Sequence, residues 1–108
     1  MEIPFINIEE LAERLETETP VVIDVREEFE WDEARIAGTK LVPLGELTRR
    51  VDELPTDQAL LILCRSGNRS GQATAWLREQ GYDAFNVDGG VLAWASSGRH
   101  LESGPNPA

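Results

Sequence analysis

The chain has 108 residues, of which 20 are acidic and 10 are basic, so its formal net charge is -10 at pH 7. This length fits one domain with its own hydrophobic core, and the longest apolar run, residues 59–64, is far too short to span a bilayer. The acidity argues against nucleic acids and anionic membranes as partners, because both bind to basic surfaces.

Cysteine and histidine each occur once, as Cys64 and His100. A single cysteine allows no internal disulfide, no CxxC redox pair and no cysteine-rich zinc site, and we expect neither a metal nor another cofactor. The first five residues lack the basic start and apolar core of a secretory signal. If the chain is complete, a cytoplasmic location follows.

Hydrophobic periodicity and turn residues divide the chain into alternating helices and strands. Asn7 has the position of a helix N-cap, and Gly81 that of a C-cap. In chain order, the predicted elements are a helix over residues 8–16, a strand over 21–23, a helix over 27–33, a strand over 40–42, a helix over 44–54, a strand over 60–63, a helix over 72–80, a strand over 84–87 and a helix over 91–96.

This alternation predicts an α/β domain with a mainly parallel sheet and right-handed crossovers. The domain is expected to cover residues 1–102, and the Gly and Pro residues of 103–108 predict a flexible C-terminal tail. Ligands bind at the carboxyl ends of strands in open parallel sheets, and Asp24, Cys64 and Asp88 follow three of the predicted strands.

Cys64 stands where an apolar strand meets a polar loop, residues 65–70. A strand-to-helix loop directs backbone N–H groups and the positive end of a helix dipole towards one point, which lowers the pKa of a thiol there. Arg65 and Arg69 add positive charge. A buried structural cysteine is the alternative, but this position favours a reactive thiolate, and His100 is interpreted as a solvated surface residue.

The spacing between Cys64 and Arg69 is Cys-x4-Arg. Cysteine phosphatases have Cys-x5-Arg, in which a longer loop surrounds a phosphoryl group, and here the residue at that longer spacing is Ser70. A loop one residue shorter is better matched to a single terminal sulfur. The count therefore disfavours a phosphatase or arsenate reductase.

Several motifs, in order and up to about residue 100, make the chain resemble the single-domain rhodaneses, or thiosulfate sulfurtransferases. The motifs are Asp24-Val25-Arg26-Glu27, Glu30-Trp31, Ile36-Ala37-Gly38-Thr39, Val42-Pro43-Leu44, Cys64-Arg65-Ser66-Gly67-Asn68-Arg69-Ser70 and Gly89-Gly90-Val91-Leu92-Ala93-Trp94. The cysteine loop and the Gly-Gly-x3-Trp ending are the specific parts. Where family members often carry Gly-His-Ile, this chain has Ala34-Arg35-Ile36, so the role of that histidine passes to Arg35 or is lost.

The resemblance implies a three-layer fold with a central, mainly parallel five-stranded sheet flanked by helices. It also implies that Cys64 takes a sulfane sulfur from thiosulfate or a similar anionic donor, carries it as a persulfide, and passes it to cyanide or a thiol. The implied substrate-binding residues are Arg65, Ser66, Gly67, Asn68, Arg69 and Ser70.

Some roles stay open on the sequence alone. Arg65 is either a substrate ligand or an exposed loop cation, and Arg69 either a substrate ligand or a structural partner of a carboxylate. Asp24 and Arg26 are expected to hold the base of the loop, and Glu30 has the spacing to pair with Arg26. A sulfur-relay module, which accepts persulfide sulfur from a partner protein, is the alternative function.

Overall fold

A computed structural model describes residues 2–105 and contains a five-stranded parallel sheet. The strands are β1 (Phe5–Ile6), β2 (Val21–Asp24), β3 (Lys40–Leu41), β4 (Leu60–Leu63) and β5 (Ala84–Val87). They lie in the order β1-β5-β4-β2-β3, and each pair of neighbours is parallel. The predicted α/β class with a central parallel sheet is confirmed.

Five α-helices connect or follow these strands. They are α1 (Ile8–Thr17), α2 (Glu28–Glu33), α3 (Leu44–Arg50), α4 (Asn68–Glu79) and α5 (Gly90–Ser96). The predicted cap of α1 is present, because the Glu10 N–H donates to Asn7 Oδ1 at 2.8 Å. The helix predicted over 44–54 ends its α-helical part at Arg50 and continues as a 3-10 turn, Val51–Glu53. Among the residues described, no helix is long and apolar enough to cross a membrane.

Strand β4 lies at the centre of the sheet and is buried on both faces. Leu60 and Ile62 pack with α3 and α4 on one face, while Leu61 and Leu63 pack with α1 and α5 on the other. Full burial of each such side chain contributes about 1.5–3 kcal/mol. Cys64 directly follows this central strand and continues the α3 and α4 side of the alternation.

The structure corrects two further element predictions from the sequence. Strand β1 was missed because only two residues form it, too few to show an alternating pattern. Helix α4 begins at Asn68, four residues before the predicted start at residue 72. Its first turn buries small residues, Ser70 and Gly71, against the sheet, so this turn lacks the large apolar side chains on which the prediction depended.

The C-terminal segment is held against the domain by Arg35. The backbones of Arg35 and Glu102 exchange two hydrogen bonds, of 2.8 and 2.9 Å, and the Arg35 guanidinium donates to the Gly104 carbonyl at 2.7 Å. The Gly104 N–H in turn donates to the Asp32 carbonyl at 2.7 Å. Arg35 thus fastens the first part of the predicted tail, of which residues 106–108 lie outside the described residues.

Candidate active site

Cys64 Sγ lies at the floor of a tight turn between β4 and α4. Gly67 has φ 108°, a left-handed conformation that suits glycine, and it forms the N-cap of α4. The turn brings the Gly67 N–H to 3.1 Å and the Ser70 hydroxyl to 3.2 Å from Cys64 Sγ. Only 1% of Cys64 is exposed.

These donors stabilise the thiolate form of Cys64. Burial is the largest single influence on the thiol, and it opposes ionisation. The Ser70 hydroxyl and the backbone N–H groups of Ser70, Gly67 and Ser66 together outweigh burial, so the pKa of Cys64 lies below its ordinary value. The activation is therefore built from hydrogen bonds, and the sequence prediction of an activated thiol agrees with this geometry.

The seven residues predicted for the site form one continuous segment around the sulfur. Residues 65–67 form the turn, whereas Asn68, Arg69 and Ser70, which were predicted to belong to the loop, form the first turn of α4. The side chains of Arg65, Ser66 and Asn68 are exposed, and Ser70 is fully buried. Arg65 is thus the cation of the turn that faces solvent.

Arg69 makes a two-point contact with Glu30 of α2. Its guanidinium nitrogens lie 2.7 and 2.8 Å from the two Glu30 carboxylate oxygens. This hydrogen bonding holds the pKa of Glu30 at about 2. The expected pairing of Glu30 with Arg26 is wrong, since Arg26 reaches only the Glu30 backbone carbonyl. The contact fixes the first turn of α4 to α2.

The buried Asp24–Arg26 pair holds α2 rather than the cysteine turn. Arg26 Nε and Nη2 donate to the Asp24 carboxylate at 2.8 to 3.0 Å, and Nη2 also donates to the Ala34 carbonyl at 2.8 Å. The expectation that these two residues hold the base of the loop therefore needs correction. They act on the loop through α2, which carries Glu30.

Replacing Glu30 by glutamine should remove a pH-dependent part of the stability. A pKa of about 2 instead of 4.5 corresponds to about 3 kcal/mol, and the 34% exposure of the Arg69 side chain reduces this to about 1–2 kcal/mol. Because the folded pKa is depressed, the wild-type advantage should be full above pH 4.5 and vanish as the pH falls to about 2. Urea unfolding of wild type and Glu30→Gln at pH 7 and pH 3 measures the difference.

A matched control is Glu53→Gln, which removes an exposed glutamate that also pairs with an arginine, Arg50. It should change the free energy of unfolding much less, because water screens that pair. Equal losses in the two variants, or a loss for Glu30→Gln that does not shrink at pH 3, would contradict the assignment.

Asn86 of β5 is a site residue that the sequence analysis missed. Its Nδ2 donates to the Gly67 carbonyl at 3.2 Å, and its Oδ1 lies 2.5 Å from the Ser70 hydroxyl. The Ser70 hydroxyl has one proton for two acceptors, Asn86 Oδ1 and Cys64 Sγ. The sequence did contain a signal for Asn86, because asparagine is disfavoured within strands and its presence in one indicates a specific polar contact.

Replacing Asn86 by aspartate should raise the pKa of Cys64. The new carboxylate would compete for the Ser70 proton and place negative charge beside the thiolate, so we expect the pKa of Cys64 to shift upwards. The pH dependence of Cys64 alkylation by iodoacetamide measures this shift. Asn68→Asp adds the same charge at an exposed position and should move the midpoint much less, and equal midpoints in both variants would refute the role of Asn86.

Helix α5 closes the other side of the turn. The N–H of Val91 donates to the Cys64 carbonyl and that of Leu92 to the Arg65 carbonyl, both at 2.9 Å. Gly90, with φ 60°, allows this approach because its missing side chain leaves room for the two carbonyl groups. The cysteine turn is thus held by β5, α2 and α5 as well as by its own strand and helix.

Comparison with known proteins agrees with this fold. A family model described as a rhodanese-like domain matches residues 7–97. A sulfurtransferase of Allochromatium vinosum is 39% identical over 95 residues, covering 86% of this chain and 89% of its own. The thiosulfate sulfurtransferase GlpE of Pseudoalteromonas translucida is 30% identical over 93 residues, covering 85% and 89%.

Among solved structures, a rhodanese-related protein of Thermoplasma volcanium superposes with a TM-score of 0.85 at 31% identity, covering 92% of this chain and 97% of that chain. The family model that matches most of the chain, together with relatives of similar length, establishes the family. The chain belongs to the rhodanese-like family of sulfurtransferases.

Proposed function

We propose that this chain is a sulfurtransferase that moves a sulfane sulfur from thiosulfate or a similar anionic donor to cyanide or a thiol, with Cys64 as the persulfide carrier. The observation that carries the proposal is the set of donors at Cys64 Sγ, the Gly67 N–H and the Ser70 hydroxyl. They favour a thiolate without a histidine base. The chain is acidic as a whole, but the exposed Arg65 supplies positive charge at the cysteine turn.

The reaction needs no proton transfer to the leaving group. The Cys64 thiolate attacks the outer sulfur of thiosulfate, the S–S bond of the donor breaks, and sulfite leaves with the electron pair. The N–H groups of the turn then face a terminal sulfur that carries the negative charge. Cyanide or a thiolate next attacks that outer sulfur and releases Cys64 as a thiolate.

Arg69 supports this proposal mainly as a positive charge fixed in position, and less as a side chain that moves to bind the substrate. Its guanidinium is engaged by Glu30, so it holds α4 and adds positive potential near the sulfur. Arg65 is the better candidate for direct contact with the oxygens of the donor. A reducing compartment such as the cytoplasm would keep this thiol free for the reaction.

Intact-mass analysis after treatment with thiosulfate tests the proposal. We expect the protein to gain the mass of one sulfur atom on Cys64 and to lose it again when cyanide is added, with formation of thiocyanate. A protein that gains no sulfur from thiosulfate or from an organic persulfide would contradict the proposal.

The second candidate function is a sulfur-relay module whose sulfur is exchanged with a partner protein. The observation that favours it is a cavity beside the turn with two exposed apolar side chains, Phe29 and Leu92, which a small hydrophilic anion would not require. Slow thiosulfate turnover combined with rapid sulfur exchange with a cysteine-containing partner would favour the relay over the thiosulfate enzyme.

A further inference from the structure

A cavity of about 300 Å³ opens between α2 and α5 next to the cysteine turn. Both of its walls are tied to that turn. On the α5 side the Leu92 N–H donates to the Arg65 carbonyl, and on the α2 side Glu30 holds Arg69. An occupant of this cavity would therefore contact Arg65 and lie beside the cysteine turn.

The lips of this cavity expose large apolar side chains. Phe29 is 65% exposed and Leu92 is 42% exposed, and they are two of the four exposed large hydrophobic residues in the described part of the chain. The rest of the lining includes apolar residues, among them Val91, Ala95 and Leu101, together with the charged residues Arg26, Glu30 and Arg65. Thiosulfate would gain nothing from the apolar part of these walls, whereas an apolar side chain of a partner would.

The α2 lip is strongly acidic. The helix carries four acidic residues and no basic one, and Glu33 lines the cavity. Within residues 2–105, neither Glu28 nor Glu33 takes part in an ion pair. The carboxylates of Glu28 and Glu33 would attract a lysine or arginine of a partner, while Arg65, which also lines the cavity, would attract the anionic donor.

We propose that the groove lined by Phe29, Glu33 and Leu92 docks the sulfur acceptor, and that this acceptor is a protein segment whose reactive cysteine is flanked by apolar and basic residues. The inference rests on the proposed function, because it assigns the acceptor of the Cys64 persulfide. A protein segment is favoured over a small thiol because Phe29 and Leu92 project into solvent, where only an occupant larger than the cavity covers them.

Transfer of the sulfur from Cys64 to the docked acceptor needs no further reactant. The thiolate of the acceptor attacks the outer sulfur of the Cys64 persulfide, and a new S–S bond forms on the acceptor. The bond between that sulfur and Cys64 Sγ breaks, and Cys64 leaves with the electron pair as a thiolate.

The test uses the full chain, loaded with one sulfur, and two five-residue peptides. Both peptides have a central cysteine and terminal leucines, and the remaining two positions are lysines in one peptide and glutamates in the other. At low ionic strength we expect kcat/KM for sulfur transfer to be about tenfold higher for the lysine peptide. The ratio should fall towards one in Glu28→Gln/Glu33→Gln, while discharge by cyanide stays unchanged.

The apolar lips are tested by Phe29→Ser/Leu92→Ser, which should lower kcat/KM for both peptides about tenfold and leave discharge by cyanide unchanged. Phe5→Ser is the matched control, since Phe5 is equally exposed, at 63%, on the edge strand β1. Thermal melting of each variant verifies that it is folded.

The outcomes separate this inference from the function on which it rests. A chain that never gains a sulfur on Cys64 refutes the proposed function. A chain that gains sulfur and discharges it to cyanide, but transfers it to both peptides at the same rate in wild type and variants, refutes only the docking surface. A loss in Phe5→Ser as large as in Phe29→Ser/Leu92→Ser would also refute it.

Discussion

Replacing Cys64 by serine should reduce thiocyanate formation from thiosulfate and cyanide to the uncatalysed rate, a loss of about three orders of magnitude or more. A serine hydroxyl stays protonated in the same turn, and its oxygen forms no S–S bond with the donor. The fold should survive, because serine has nearly the same shape and its hydroxyl can accept the Gly67 N–H. The measurement is the initial rate of thiocyanate formation, with a thermal melt to verify folding.

His100 provides the matched control for this experiment. It is the only histidine, its side chain is exposed, and the site geometry uses no base. His100→Ala should therefore keep the wild-type rate. A Cys64→Ser protein that is folded and still fully active would remove Cys64 from the mechanism, and a large loss in His100→Ala would mean that a base is required.

The placement of Cys64 was predictable from the sequence because its causes are local. An apolar run that ends in a polar, glycine-containing segment marks the end of a buried strand, and β4 ends at Leu63. The parallel sheet followed from the alternation of strands and helices, which requires crossover connections. The strand-to-helix turn, and with it the activation of the thiol, then followed from the topology.

The partners that hold the turn were not predictable in the same way. Arg69 and Glu30 are 39 positions apart, and Ser70 and Asn86 are 16 positions apart. Such pairs depend on which strands become neighbours and on how far each helix extends, and one sequence shows neither. The early start of α4 was missed for a related reason, since its first turn packs through Ser70 and Gly71 and displays no apolar stripe.

The difference between local and long-range causes also explains why the roles of Arg65 and Arg69 stayed open on the sequence alone. Cys-x4-Arg is a local count, and Arg69 lies in the first turn of α4, directly after the cysteine turn. Whether the guanidinium faces a substrate or a carboxylate depends on α2, which is brought to α4 by the adjacent positions of β2 and β4 in the sheet. The structure therefore gives the two cations different surroundings, with Arg65 in solvent and Arg69 on Glu30.

Gly90→Ala should be among the most destabilising substitutions in the chain, with a loss of about 3–5 kcal/mol in the free energy of unfolding. An added Cβ would overlap the Cys64 carbonyl oxygen and would lie 2.5 Å from the Arg65 carbonyl oxygen. Both obstacles are backbone atoms, which cannot rotate away as a side chain can. The φ of 60° adds strain for any residue with a side chain.

Urea unfolding of Gly90→Ala measures this loss, and Gly45→Ala in α3 is the matched control. A Cβ at Gly45 meets nothing within 4 Å and its φ is not in the left-handed region, so alanine there should raise the stability by about 0.5–1 kcal/mol. A small loss for Gly90→Ala would mean that the turn and α5 move apart. In that case the hydrogen bonds from Val91 and Leu92 would break, and the pKa of Cys64 would return towards its ordinary value because the donors around Sγ would no longer be held in place.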